Sequence, residues 1–299
     1  MAPDTYDPRV RAARFELEAK LPKQIPLDFD ALFPKLTGWG VDKHNRRRVE
    51  LLVGLAPVLK AALRPDEQVL YALPCVLNFW WEQAFMGAWA QLINRSALVL
   101  TQDRLLIIHL HGKQPASFVN QVPRAALTKV SVGVFSTVLK LTNRKITLTG
   151  LLAQDRKALK AALASSTRGS GDLEHLCPGC FEAHPRHVES CSRCGTVFKS
   201  PRTAALRSLL LPGLGDYYLG HRGLAVFEMM GSLFTWAIAV ALASGQVPDM
   251  NRTAGLGFAL LILALANGSD ALLTRAQGKK GLMSLDGKLP ASRSLPGRR

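Results

Sequence analysis

The stretch 177-CPGCFEAHPRHVESCSRCG-195 contains four of the five cysteines of this 299-residue chain. They form two Cys-x-x-Cys pairs, Cys177 with Cys180 and Cys191 with Cys194, and ten residues separate the pairs. Each pair can form a tight turn that directs two sulfur atoms at one point, and the intervening chain is long enough to bring both pairs together. Four thiolates in a tetrahedral arrangement are the ligands of a closed, structural zinc site. The sequence therefore predicts that these cysteines bind Zn²⁺.

A strong excess of basic residues limits the kinds of partner this chain can have. It contains 38 Lys and Arg against 22 Asp and Glu, a formal net charge of +16. Such a charge favours an anionic partner, either a membrane surface with anionic lipids or a nucleic acid. A membrane protein with cytoplasmic domains also collects Lys and Arg on that side without any anionic partner. We favour these membrane explanations over nucleic acid, since the loop between the cysteine pairs offers only Phe181 for stacking on bases. Few and clustered cysteines also indicate a reducing compartment.

Residues 66–165 are predicted to form a β domain. Short runs of β-branched and apolar residues alternate with turn residues, and residues 151–164 then have apolar positions at helical spacing. This order predicts a bent β-sandwich or barrel closed by one C-terminal helix, preceded by a helical region at residues 1–65. The predicted strands are 69–73, 97–101, 105–110, 118–122, 127–132, 137–141 and 146–148.

Turn motifs in this β domain resemble those of a known family. The segment 98-LVLTQDRLLII-108 has a strand that ends in a Thr-x-Asp-Arg turn at 101–104, and 121-QVPRAALTKVSVG-133 contains Val-Pro at 122–123. These motifs and the closing helix resemble the bacterial pleckstrin-homology-like (PH-like) domains, also called GRAM-like or YokE-like. The resemblance covers residues 66–165. It implies a PH-like fold and says less about function, because the shared motifs are structural turns.

Two later stretches, 223–243 and 254–274, are predicted to cross a membrane. About twenty apolar residues form a helix of roughly 30 Å, the thickness of the hydrocarbon core. Basic residues flank the pair on the outside, and the loop between the stretches is short and polar. The positive-inside rule therefore places both termini in the cytoplasm, and two spans predict a multi-pass membrane protein. The resemblance to bacterial PH-like domains implies that this membrane is the inner (cytoplasmic) membrane of a bacterium.

The fold class predicted from these patterns is a multidomain α+β membrane protein. A linker and the Cys₄ zinc ribbon occupy residues 166–199 between the β domain and the membrane domain. The membrane domain itself is predicted over residues 200–275, with the two spanning helices inside it. A basic cytoplasmic tail is predicted over residues 276–299.

The stretch 203-TAALRSLLLPGLGDYYLG-220 is too short and too interrupted to span a membrane. We predict an interfacial or re-entrant segment here, with Tyr217 and Tyr218 at the level of the lipid headgroups. Together with the two following helices, it resembles small bacterial membrane domains built around Pro-Gly-Leu-Gly-x-x-Tyr-x-Gly, here residues 212–220. That resemblance also implies an acidic residue late in the last helix, the place that Asp270 occupies.

Five charged residues are the further candidate functional residues. Glu228 and Asp270 lie within the predicted spans, where ionisable groups are costly and mark ion pathways or helix–helix contacts. Structural pairing near the cytoplasmic interface is the alternative for both acids. In the β domain, Arg104, Arg124 and Lys129 are the candidates for binding anionic lipid.

The sequence does not contain the common enzyme signatures, such as a Walker loop, Gly-x-Ser-x-Gly, His-Glu-x-x-His or a Rossmann glycine pattern. We therefore predict no catalytic residue and no cofactor besides structural zinc. The expected function is a membrane-anchored, non-enzymatic adaptor that binds anionic lipid or a protein partner. Two alternatives stay open: a small channel- or transporter-like oligomer that uses the intramembrane acids, and a membrane-tethered ribbon that binds nucleic acid.

Overall fold

The computed structural model describes residues 8–21, 25–32, 41–77, 80–111, 114–164, 171–245 and 251–286. The chain forms two compact units. The first contains residues 1–187, 191–196 and 288–299, and the second contains residues 188–190 and 197–287. Residues 166–170 of the predicted linker and ribbon, and residues 287–299 of the predicted tail, lie outside the described residues.

Six α-helices belong to the described part of the first unit. The longest, α3, buries Val49, Leu52, Leu55 and Leu59 at spacings of three or four residues. This spacing is the period of a helix that packs one face into a core. The six helices are α1 (Pro8–Lys20), α2 (Phe29–Leu32), α3 (Val41–Ala62), α4 (Trp80–Met86), α5 (Ala88–Ile93) and α6 (Ala153–Ala164).

Nine antiparallel strands form one sheet in the described part of the same unit, in the order β5-β6-β7-β1-β2-β3-β4-β8-β9. The seven strands predicted from the sequence are confirmed. The last two strands, three and two residues long, are too short to show an alternating pattern and were not predicted. The strands are β1 (Val69–Leu77), β2 (Arg95–Thr101), β3 (Arg104–His111), β4 (Gln114–Pro123), β5 (Leu127–Val132), β6 (Ser136–Leu141), β7 (Lys145–Thr149), β8 (Glu174–Leu176) and β9 (Ala183–His184).

Strands β2 and β3 are buried on both faces of the sheet. On one face, Val99 and Ile108 share a core with residues of α1 and α3. On the other face, Leu98 and Ile107 share a core with β5–β7 and α6. Because neither face meets water, these strands need apolar residues at nearly every position. The N-terminal helices and the sheet therefore share a core, and the predicted boundary at residue 65 stays a prediction.

A buried ionic network joins α3 to β1 and α6. Arg48 is 1% exposed, and its guanidinium donates to Asp155 Oδ1 at 2.8 Å and to Leu32 O at 2.6 Å. Tyr71 Oη also donates to Asp155 Oδ1, at 2.7 Å. Burial alone would raise the pKa of Asp155, but the contacts with His44 and Tyr71 and the charge of Arg48 outweigh it and hold the pKa below its usual range.

The second unit is built from four helices in its described part. They are α7 (Pro201–Leu210), α8 (Leu214–Leu219), α9 (Arg222–Ala243) and α10 (Arg252–Gly278). Both α9 and α10 are long and apolar enough to cross a membrane. Only 22% and 17% of the residues in their most apolar windows are buried. Such helices differ in this respect from the core helices of a soluble protein, which bury their apolar residues.

The chain after α10 folds back onto the start of the second unit. Lys199 N–H donates to Met283 O at 2.8 Å, and Phe198 and Ser284 form an antiparallel β-bridge. Leu282 and Met283 are buried. Residues 279–286, which the sequence analysis assigned to the basic tail, are therefore ordered by backbone pairing and burial.

Candidate functional site

Strand β8 leads directly into the first cysteine pair. It pairs with β4, and Cys177 follows its last residue. The Cys177 N–H donates to Glu182 O at 2.8 Å, and its carbonyl accepts from Phe181 N–H. Gly179 N–H points at Cys177 Sγ from 3.3 Å. The main sheet therefore holds the first turn in place.

The second cysteine pair forms a turn of the same kind. Cys191 N–H donates to Thr196 O at 2.9 Å, and Gly195 N–H donates back to Cys191 O at 2.9 Å. Gly195 has φ +71°, a left-handed conformation that glycine adopts without strain. The two turns have matching geometry, as expected for two halves of one metal site.

The four sulfur atoms lie close enough together to hold one metal ion. All four Sγ atoms are within 4.8 Å of one another, with 3.5 Å between Cys177 and Cys194 and 3.6 Å between Cys180 and Cys191. A tetrahedral site with Zn–S bonds of about 2.3 Å has sulfur–sulfur distances of about 3.8 Å. A disulfide requires about 2.0 Å, and all four cysteines are free thiols. The cluster therefore fits a single tetrahedral ion such as zinc.

Two of these thiols need a cation to ionise at neutral pH. Burial raises the pKa of Cys177 and raises the pKa of Cys180 to about 11. Thiols with such pKa values keep their protons unless a metal ion displaces them. Ion binding and proton release at this site are therefore coupled.

The three lipid-binding candidates of the β domain have different surroundings. Arg104 is 5% exposed, and its guanidinium pairs with Glu67 Oε2 at 2.6 Å. That position does not suit contact with a lipid headgroup. Arg124 is half-buried and donates to Ala162 O at 2.8 Å, which caps the last turn of α6. Lys129 is exposed on β5.

Lys129 belongs to a row of three lysines across neighbouring strands. It lies opposite Lys140 of β6, and Lys140 lies opposite Lys145 of β7. Residues directly opposite each other project from the same face, and like charges there repel. An anionic ligand would remove that repulsion. The short gap between the predicted strands 137–141 and 146–148 could have placed Lys140 opposite Lys145. Lys129 lies next to them only because of the register of β5 on β6.

The two tyrosine candidates differ in exposure. Tyr217 is 56% exposed. Tyr218 is half-buried, accepts a hydrogen bond from Ser200 N–H at 3.1 Å and lies under the Arg207 guanidinium, 4.3 Å from its ring centre. Tyr217 thus leaves more than half of its side chain exposed, whereas Tyr218 contacts the start of α7.

The structure brings Glu228 and Asp270 together with Asp216, a residue that the sequence analysis did not single out. One carboxylate oxygen from each lies within 4.8 Å of the others. Thr274 Oγ1 donates to Asp216 Oδ2 at 2.9 Å, and His221 Nδ1 lies 2.8 Å from Asp216 Oδ1. Carboxylates this close repel unless donors, protons or a cation offset their charge. Asp216 follows the Pro-Gly-Leu-Gly turn directly, a position that could have drawn attention to it.

The Pro-Gly-Leu-Gly turn brings helices of the second unit into close contact. Gly213 has φ +89°, and its N–H donates to Asp270 Oδ2 at 3.0 Å. A Cβ atom at Gly215 would come closer than 3.0 Å to Ser208, to Ala204 O and to Thr274. Glycine is therefore required at position 215 for α7, α8 and α10 to approach one another.

Gly215→Ala is expected to destabilise the second unit, although alanine is normally the better helix residue. Helices α7 or α10 would have to move, at a cost of about 1–3 kcal/mol, which is usual for overpacking. The thermal unfolding temperature of the full chain in detergent measures the effect. Gly257→Ala in α10 is the matched control, because a Cβ there meets no atom within 4 Å. Equal effects of the two substitutions would contradict the close approach at Gly215.

No protein-family model matches the chain, and no curated protein shows significant similarity to it. The two family resemblances in the sequence therefore stay predictions. Three features are shown by the structure: an antiparallel β-sheet, a four-cysteine cluster and two long apolar C-terminal helices.

Proposed function

We propose that this chain is a non-enzymatic adaptor anchored in the inner (cytoplasmic) membrane, with both termini in the cytoplasm. Its β unit and zinc ribbon bind anionic lipid or a protein partner at the membrane surface. One observation carries the proposal: a folded sheet with a four-cysteine cluster is joined in one chain to two long apolar helices with largely exposed side chains. A membrane would cover such helices, and the charges at their cytoplasmic ends follow the positive-inside rule.

The strand order supports a PH-like assignment for the β unit. Within β1–β4 and within β5–β7, each strand pairs with the next strand in sequence. Strand β1 pairs with both β2 and β7. The sheet thus bends around a core that α6 closes. A shared core of this kind supports the bent β-sandwich or barrel with one closing helix that the order of strands and helix predicts.

The zinc ribbon is a rigid extension of the sheet in this proposal. Its first strand, β8, pairs with β4, and β9 pairs with β8. A closed site with four thiolates has no open coordination position, so the metal stabilises the two turns and does not take part in a reaction. The ribbon therefore offers a fixed surface for docking of a protein partner.

The row of Lys129, Lys140 and Lys145 is the proposed contact of the β unit with anionic lipid. The three ammonium groups share one face of β5–β7. Each basic group near an anionic membrane surface contributes about 1 kcal/mol of attraction. Arg104 is not part of this surface because Glu67 already pairs with it.

Hydrogen exchange of the full chain in lipid nanodiscs tests the lipid contact. We expect slower exchange in residues 127–149 with phosphatidylglycerol than with phosphatidylcholine, and loss of the difference at high salt, which screens the attraction. The triple variant Lys129→Gln, Lys140→Gln, Lys145→Gln is expected to remove the difference. The control is the triple variant Lys60→Gln, Lys157→Gln, Lys160→Gln. These lysines are exposed elsewhere on the same unit, and the control should retain the difference between the two lipids.

Identical exchange in both lipids would contradict lipid binding by the β unit. The β unit and ribbon would then be protein-docking modules only. Release of the full chain from membranes by alkaline carbonate would contradict the anchoring itself.

One observation favours a channel- or transporter-like alternative. Glu228 Oε2 is buried and has no hydrogen-bond partner among the described residues, although Asp216 and Asp270 lie beside it. Proteoliposomes with the full chain test this alternative by ion flux. Flux that is absent, or unchanged in Glu228→Gln/Asp270→Asn, would rule it out.

A further inference from the structure

A groove of about 680 Å³ lies between α7 and α10. The two helices run antiparallel, with Pro201 beside Gly278 and with Asn267 donating to Leu209 O at 3.0 Å. Helix α7 thus follows α10 from its C-terminal end toward its middle. The groove is formed entirely by residues of the second unit.

The groove has a basic end and an apolar body. Arg202, in the first turn of α7, and Arg275, in the last turn of α10, line the same end. Both are exposed, and the lining contains no acidic residue. Farther along, Leu206, Leu209 and Leu265 line the groove and remain more than half exposed.

We propose that this groove binds one anionic phospholipid, with its phosphate at Arg202 and Arg275 and an acyl chain along the leucines. The proposal rests on the proposed membrane placement of α10. Leu265 lies ten residues before Arg275, which corresponds to about 15 Å along a helix. A headgroup at the arginines would therefore place its acyl chain at the depth of Leu265 and Leu209. Guanidinium groups bind phosphate by paired, charge-assisted hydrogen bonds.

The groove is open beside Gly268, which leaves room for the acyl chain. A Cβ atom built on Gly268 meets no atom within 4 Å, so the helix surface there opens into the groove. Ala205, Ala264 and Ala271 also line it. These small side chains leave space between the leucines for a hydrocarbon chain.

Charge favours a lipid over a second copy of the chain in this groove. A symmetric dimer joins identical patches, and two copies with the same membrane orientation have their arginines at the same end. Four guanidinium groups would then lie close together, and the lining offers no carboxylate to offset their charge. Their repulsion disfavours the dimer, whereas a phosphate neutralises the pair.

Native mass spectrometry of the full chain in detergent tests the site, with phosphatidylglycerol or phosphatidylcholine added as the probe. We expect one retained phosphatidylglycerol per chain, at about tenfold greater occupancy than phosphatidylcholine, because two charged contacts hold it. The variant Arg202→Gln/Arg275→Gln is expected to remove this preference. Arg222→Gln/Lys279→Gln removes the same charge from exposed positions outside the groove lining and should keep the preference.

A second pair of variants tests the apolar body without changing charge. Gly268→Leu should fill the groove and reduce retention of both lipids about tenfold. Gly257→Leu adds the same side chain to α10 where a Cβ also meets no atom within 4 Å, outside the groove lining, and should leave retention unchanged.

Three outcomes would overturn the proposal: no retained lipid in the wild type, retention indifferent to both groove variants, or a dimer that the groove variants dissociate. Each variant is first shown to keep the wild-type unfolding temperature, so that loss of lipid is not loss of fold. Failure here leaves the adaptor proposal standing, because that proposal is tested separately by carbonate extraction and by exchange in the β unit.

Discussion

Cys177→Ser is expected to abolish metal binding and to unfold both cysteine turns, while most of the nine-stranded sheet stays folded. Cys177 is completely buried, and its N–H and carbonyl both form hydrogen bonds within the first turn. A serine hydroxyl keeps its proton at neutral pH and is a poor replacement for a thiolate ligand. In zinc-finger peptides the metal contributes on the order of 10 kcal/mol to folding. The local loss of stability should therefore be large.

Elemental analysis of the purified full chain gives the first measurement. We expect about one zinc per chain in the wild type, as for a closed site with four thiolates, and none in the variant. Hydrogen exchange gives the second measurement. Peptides around the cysteine turns should exchange much faster in the variant, whereas β2 and β3 should be unchanged because they lie inside the sheet.

Cys75→Ala is the matched control. This fifth cysteine is 4% exposed in β1 and shares the core of β5–β7 and α6. Its removal costs packing in the core, but zinc content should remain at one per chain. Retention of zinc by Cys177→Ser would contradict a site that needs all four thiolates.

Local signals predicted the strands because each turn is specified by a few adjacent residues. At residues 101–104, Thr101 Oγ1 accepts from Arg104 N–H at 3.1 Å and donates to Arg104 O at 2.9 Å. In the Thr-x-Asp-Arg motif, the threonine side chain thus closes the turn between β2 and β3. The cysteine pairs are equally local, since each turn closes within six residues. Patterns of this kind can be read from sequence.

Partners that are distant in sequence could not be predicted in the same way. Arg104 was a candidate for lipid binding, but Glu67, 37 residues earlier, pairs with it in the interior. The cluster of Asp216, Glu228 and Asp270 likewise depends on how three helices pack. A single sequence shows that a side chain is charged, and only the packing shows whether that charge meets water or another charge.

Asp155→Ala is expected to destabilise the first unit by about 3–5 kcal/mol, because it removes one partner of a buried ion pair. Arg48 is 1% exposed, and Asp155 is the carboxylate with which it pairs, at 2.8 Å. Tyr71 would lose the same acceptor. Urea unfolding of the full chain, followed by hydrogen exchange in α3 and α6, measures the effect. Arg46→Ala is the control on the same helix: Arg46 is 76% exposed, and its pair with Glu50 should contribute less than about 1 kcal/mol.

The same network predicts loss of stability in acid. The folded-state pKa of Asp155 lies below its usual value, which is about 3.9 in the unfolded chain. Its contribution is therefore complete above that pH and disappears as the pH falls through the lower folded-state value. The difference between wild type and Asp155→Ala should shrink below about pH 4. A difference that stays constant down to pH 2 would contradict an ionised Asp155.

A double variant tests whether the charge of the buried Arg48 causes the loss of stability in Asp155→Ala. Buried ion pairs replaced by apolar residues of similar size are often neutral in stability, since neither charge must then be desolvated. Arg48→Met/Asp155→Leu should therefore be more stable than Asp155→Ala alone, although Leu32 O and the Tyr71 hydroxyl lose the donor that Arg48 supplies in the double variant. If the double variant is the less stable of the two, the hydrogen bonds that Arg48 donates to Leu32 O and Tyr71 outweigh the cost of its buried charge.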